Sequence, residues 1–167
     1  MDCIQSTKGI EGHRKKFKNL KLIQCEIVPF SGSEEEIEQV LSIANTEYSK
    51  IGLGREIYST NILYPNGVFI AKEEDKVLGF VRYQIANEEM GNILISVDYE
   101  NIKKGLSDAL IQECIKEAGE SNLRQISATV YEDNFLARYL FKRNEFTLLP
   151  YLFQGYKMYN AVKVINK

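Results

Sequence analysis

The sequence is short of cysteine, short of proline and without an excess of positive charge, and each shortage closes off a class of protein. Its cysteines, Cys3, Cys25 and Cys114, stand far apart with no Cys-x-x-Cys pair. That odd, scattered set argues against a disulfide framework or a structural zinc site, and implies no metal and a reducing, cytoplasmic setting. With 3 prolines among 167 residues, and 44% hydrophobic against 26% charged residues, the composition is that of a self-folding globular chain rather than a disordered one. A formal net charge of -2 gives no global attraction for nucleic acid or an acidic membrane, so neither is an expected partner. An anion would have to be met by a local cluster. No apolar run approaches membrane-spanning length, and the basic segment at 1–20 has no signal-peptide core.

At this length a single domain is expected over residues 21–167, preceded by an arm or peripheral segment at 1–20. "HRKKFK", at 13–18, reads as a solvated charge run. "LKLIQCEIVPF" supplies a first strand. Ser33 and Glu36 form a capping-box pattern, and Ile37, Val40, Leu41, Ala44 and Tyr48 follow at helical spacing. Residues 51–67, with glycines at the start and Pro65-Asn66-Gly67 at the end, read as a loop around a short helix. "VFIAK" and "VLGFVRYQIA", separated by "EEDK", form a hairpin. A turn at Asn87–Glu89 leads into "MGNILISV", whose apolar run fits a covered central strand.

A helix from Gly105 to Ala118 then buries Leu106, Ala109, Leu110, Cys114 and Ile115. "LRQISATV" is a strand and "NFLARYLFKRN" a short helix. "FTLLPYLFQGYKMYNAV" is strand-like material broken at Pro150. This order describes an α/β (α+β) chain built on a mixed sheet with helices on both faces.

The join "VDYENIKKGLSDAL" raises a question of chemistry. A helix starting at Lys103–Gly105 has amides without intrahelical partners and a dipole that favours an anion. Gly105 permits close backbone approach, and Lys103 and Lys104 can neutralise a phosphate. A strand running into this helix, followed by a second strand and helix, brings two carboxyl strand ends together.

In this order and in two motifs the chain resembles the GCN5-related N-acetyltransferase (GNAT) superfamily, over roughly residues 22–160. The family's Arg/Gln-x-x-Gly-x-Gly/Ala after a strand valine falls on Val97, Ile102, Gly105 and Ser107. Only Gly105 keeps its family residue; Ser107 is a small substitute and Ile102 a departure. The family's Asn-x-x-Ala-x-x-Leu-Tyr, then Gly-Phe, appears as "NFLARYLFKRNEF". Asn134, Ala137, Leu140 and Phe146 match, whereas Phe141 replaces the tyrosine and Glu145 the glycine.

The resemblance implies an acyl-CoA N-acyltransferase-like fold with a mostly antiparallel central sheet, whose bulged and splayed strands hold the thioester. It also implies acetyl-CoA as cofactor. Ile95, Ser96 and Val97 would then line the acetyl and pantetheine track, and Ile102, Lys103, Lys104, Gly105, Leu106 and Ser107 the pyrophosphate end. Asn134, Ala137 and Phe141 would lie beside the pantetheine and Arg138 near the outer phosphate. Glu89, with Glu88 as alternative, is the expected general base, and either also reads as a solvated hairpin residue. Asn134 also reads as a helix cap. The acceptor would be an amine on a small molecule or peptide, flanked by Glu47, Tyr48, Arg55, Glu56, Tyr58 and Tyr64, with Tyr83, Tyr151 and Tyr156 as an aromatic wall. A homodimer is one assembly compatible with this reading. Phe141 cannot protonate a leaving thiolate as the family's tyrosine does, so two alternatives stay open: a weakly active or inactive GNAT-like CoA-binding or interaction domain, and an unrelated interaction domain.

Overall fold

The structure, a computed structural model, describes residues 25–50, 63, 67–98, 101 and 105–165. The segment expected as an arm, the loop helix after residue 50, Tyr64 and the side chains of Glu47 and Tyr48 lie outside the described residues. The elements are β1 (Glu26–Pro29), α1 (Glu34–Lys50), β2 (Val68–Glu73), β3 (Lys76–Ile85), β4 (Met90–Val97), α2 (Leu106–Glu120), β5 (Gln125–Tyr131), α3 (Phe135–Arg143), β6 (Thr147–Phe153) and β7 (Tyr156–Val164). The strands form one sheet in the order β1-β2-β3-β4-β5-β7-β6. Every neighbouring pair is antiparallel except β4 and β5, which run parallel. The fold is therefore the mixed, mostly antiparallel α+β arrangement read from the sequence.

Period-2 alternation divides the sheet into two faces. On one, Val40 and Ala44 of α1 bury Ile70 and Phe80, with Leu94 of β4 packed alongside. On the other, Leu110, Ile111 and Cys114 of α2 and Leu140 and Phe141 of α3 cover Ile93, Val97, Ile126, Ala128 and Ala161. α1 starts with half of the expected capping box: Ser33 Oγ accepts the Glu36 amide at 3.3 Å. The Glu36 carboxylate does not return to Ser33. It accepts from the backbone amide and hydroxyl of Ser31, at 2.8 and 2.7 Å, and from Lys72 Nζ at 3.0 Å, locking α1 to β2. Burial raises the Glu36 pKa, but the Ser31 hydrogen bonds and then Lys72 outweigh it and hold the carboxyl below its ordinary value.

Pro150 does not break the last strand. β6 runs through it from Thr147 to Phe153, and the chain reverses at Gln154–Gly155 instead. β6 lies at the sheet edge, where a residue without an N–H can sit with no loss to the ladder. Among the described strands, the one register shift lies between β2 and β3. β3 and β4 pair without interruption from Gly79↔Val97 to Ile85↔Gly91, whereas the β2–β3 register shifts between Ala71 and Lys72.

Candidate active site

The parallel joint between β4 and β5 is short. Only Met90–Asn92 pair with Gln125–Ser127; beyond them the strands part, leaving Ile93–Val97 and Ala128–Tyr131 without a ladder between them. Backbone amides and carbonyls on those two edges are thus available to a ligand. The gap opens into a cavity of about 1230 Å³. Ser127 Oγ donates to Asn92 Oδ1 at 3.0 Å on the last paired rung, closing the narrow end.

Ile95, Ser96, Val97 and Ser107 line this cavity. Gly105 is the N-cap of α2, with φ 77° and ψ 4°, and no side chain caps the first amides of the helix. A Cβ built at Gly105 would meet no atom within 4 Å, so the approach to those amides is open. Leu106 is 4% exposed and belongs to the core rather than to the cavity wall. Ile102, Lys103 and Lys104 lie outside the described residues.

The opposite wall is α3. Asn134 is its N-cap, its Oδ1 accepting the Ala137 amide at 3.0 Å, and both residues line the cavity. The cap uses the carbonyl oxygen and not the amide donors, so capping and contact with a ligand are compatible. Phe141 also lines the cavity but is only 2% exposed, edge-on to Phe146 with ring centroids 5.0 Å apart. The Glu145 amide donates to Lys142 O and the Phe146 amide to Phe141 O, each at 3.0 Å. Together these make a Schellman end to α3, with the two rings as its hydrophobic contact. Glu145 holds φ 65°, the left-handed conformation that glycine adopts without strain, which explains the residue type expected there.

Arg138 is turned to other partners. Its guanidinium lies 4.8 Å from the Tyr159 ring centroid and 5.5 Å from that of Phe135, donates to Glu132 O at 2.9 Å, and does not line the cavity. Arg143 was missed by sequence reasoning and does line it. It pairs in bidentate fashion with Asp108 in the first turn of α2, offsetting a carboxylate that would oppose an anion there. Asn144 ties the same Asp108 to Leu140 O and, through Gln112, fixes α2 against α3.

Glu89 stands on the β3–β4 hairpin, exposed, with its carboxylate 3.0 Å from Arg124, and does not line the cavity; Glu88 is exposed on the same turn. Of the expected aromatic wall, Tyr151 lines the cavity. Tyr83 packs on the α2 side, its hydroxyl 3.3 Å from Ser121 Oγ, and Tyr156 is exposed on the β6–β7 hairpin. Burial, with Glu117 adding to it, pushes the Cys114 thiol up to about 12, so it is no nucleophile at neutral pH.

The site thus joins two unpaired strand edges, the capped start of α3 and, through Ser107, the first turn of α2 around one cavity; Gly105 does not line it. A search of curated proteins gives no sequence match. The fold is shared with Ard1 from Thermoplasma volcanium at 21% identity and a TM-score of 0.72, over 86% of this chain and 99% of that one. An acetyltransferase from Streptococcus agalactiae is similar at 17% identity and a TM-score of 0.71, over 84% and 98%. So is yncA from Salmonella typhimurium, solved with its cofactor acetyl-CoA, at 13% identity and a TM-score of 0.63, over 86% and 95%. Residues 35–146 match the Acetyltransferase (GNAT) family, and the chain belongs to that family.

Proposed function

We propose that this chain transfers the acetyl group of acetyl-CoA to a primary amine. The observation that carries the reading is the cavity between the parted ends of β4 and β5, with the open start of α2 at its wide end. Its parts fit the cofactor. The amides of residues 105–107 suit a pyrophosphate, supplemented by Lys103 and Lys104, and the free β4 edge suits the amide-bearing pantetheine arm. Asn134 and Ala137 bound that arm on the other side.

When bound, acetyl-CoA supplies an activated acyl carbon; the chain's own residues position and shield it. Backbone groups at Ile95–Val97 orient the thioester, and the walls of the gap limit the directions from which an amine can reach it. No carboxylate lines the cavity among the described residues, so the proton released by the amine passes to water. Glu89, one residue from Met90 of the cavity wall, takes part only through that water. The second reading, a CoA-binding domain without transfer, is favoured by Phe141, which carries no acidic proton.

Calorimetry with CoA tests the site. Gly105→Val places a β-branched side chain at positive φ in front of the helix amides and is expected to weaken binding by about tenfold or more, the loss of one or two good hydrogen bonds. Gly32→Val is the control, because Gly32 has a φ of 78° and an equally open surround away from the gap. Equal CoA affinity in folded G105V and G32V proteins would remove the phosphate assignment. Thiol release with an amine panel then separates transfer from binding alone.

A further inference from the structure

Asp108 stands in the first turn of α2. A carboxylate at this position gains from the helix dipole and can reach back to a free amide of its own helix. Both tendencies work against an anionic ligand at the helix start, the first by charge and the second by taking the donors. Here the carboxylate is turned the other way. Its Oδ1 accepts from Arg143 Nε at 2.6 Å and from Asn144 Nδ2 at 2.8 Å, and its Oδ2 accepts from Arg143 Nη2. No side chain caps the first amides of α2.

The receiving side is held by contacts of its own. Asn144, 6% exposed, donates to Leu140 O at 2.9 Å and accepts from Gln112 Nε2 at 2.8 Å, while Lys163 Nζ donates to its carbonyl oxygen at 3.0 Å. Arg143 is the last residue of α3, with its guanidinium 5.2 Å from the Tyr139 ring centroid. Arg143 lines the cavity, as does Ser107, the residue before Asp108. The charge of Arg143 is therefore cancelled by Asp108, and Nε and Nη2 of its fork are already engaged by the carboxylate. That geometry suits an indirect part in anion binding better than a direct grip.

We infer that Arg143 is a positioning residue for the cofactor that acts through Asp108. It draws the carboxylate away from the α2 amides and cancels its charge, so that the first turn can receive the phosphate groups of CoA. The inference rests on the acetyl-transfer reading.

The test measures CoA binding by the full chain at low salt and at about 0.5 M salt, with Arg143→Met, Asp108→Asn and the double variant. R143M keeps an unbranched stem beside Tyr139, and D108N keeps an oxygen for Asn144. At low salt R143M is expected to weaken binding by about tenfold, because it leaves a bare carboxylate at the helix start, and D108N to tighten it by about threefold. The double variant, again neutral at this point, should return to within about threefold of wild type, and all these differences should shrink at the higher salt. A direct grip of Arg143 on phosphate would leave the double variant as weak as R143M. A merely structural clasp would weaken all three variants with little response to salt. Either pattern overturns the inference, as does unchanged or tighter binding in R143M. Should R143M fail to fold, D108N decides alone: tighter binding that salt removes supports the inference, and weaker or unchanged binding overturns it. A wrong order of affinities among proteins that bind CoA sinks this inference only; a wild-type chain that binds no CoA sinks the acetyl-transfer reading as well.

Discussion

The two halves of the sheet are built from the same kind of antiparallel ladder but are covered differently. β1 to β4 lie between α1 and α2, and Ile70 and Phe80 on the α1 side are fully buried. β5, β7 and β6 carry α3 on one face and, among the described residues, no helix on the other. The halves meet over only three parallel residue pairs. Each half keeps its own antiparallel ladder, so their junction can open without disturbing either, and the gap falls where parallel pairing stops. The lesson is that the site here is a property of the joint rather than of a loop.

The largest effect expected from this contrast is on stability. Phe80→Ala, which empties a fully buried ring position between α1 and the sheet, should cost about 3–5 kcal/mol in urea unfolding. Phe153→Ala, on the face where no described helix packs and itself 54% exposed, should stay within about 0.5 kcal/mol. Comparable losses at the two positions would mean that this face of β6 is covered in solution, and the contrast between the halves would collapse.

A smaller effect is confined to the covered half and depends on pH. The Glu36 carboxyl has a folded pKa below its ordinary value of 4.5, so its contribution is complete above that value and is lost as pH falls through the lowered one. Hydrogen exchange of α1 amides should accelerate over that acid window before exchange in β5 and β7 does. Glu36→Gln should remove the step and cost roughly 1–3 kcal/mol at neutral pH, through weakened hydrogen bonds to Ser31. An unchanged acid step in E36Q would assign it to another group.

In the other half, the end of α3 offers a gain. Glu145→Gly releases a left-handed backbone from its side chain and gives up only an exposed ion pair with Lys163, so stability should rise by about 0.5–1 kcal/mol. A loss in thermal melting would show that the Lys163 contact outweighs the backbone term.

How much of this was legible depends on what kind of signal each part carries. β4 and α2 were readable because an apolar run and a 3.6-residue period survive in "MGNILISV" and "LSDALIQECIKEA". The asparagine and phenylalanine of "NFLARYLFKRNEF" were readable as a family pattern and Asn134 also as a helix cap, which the structure bears out, but the Schellman end at Phe146 needs backbone geometry. The facing of β6 was not readable. "TLLPYLF" is apolar at nearly every position, so no alternation tells which side faces α3, and its proline mimics a break. Asn92 and Ser127 meet across 35 residues, and Arg143 reaches Asp108 across the same separation; only the strand order brings these pairs together. Glu89 was placed near the site by family analogy, and the structure sets it on the hairpin beside Arg124.

The smallest expected change in stability is the most informative about chemistry. Phe141 belongs to the α3 core and to the cavity wall at once, so Phe141→Tyr asks on which side the added hydroxyl emerges. If it emerges in the cavity, the hydroxyl stays hydrated, the edge-on contact with Phe146 is kept, and melting should change by less than about 0.5 kcal/mol. If it is buried without a partner, the loss should be about 1–3 kcal/mol. The cavity outcome is expected, and with it a higher kcat at constant acetyl-CoA affinity, because a phenol can protonate the departing sulfur where a phenyl ring cannot. A stable F141Y protein with an unchanged kcat would show that the departing sulfur is met by a proton from elsewhere or that its protonation does not limit the rate.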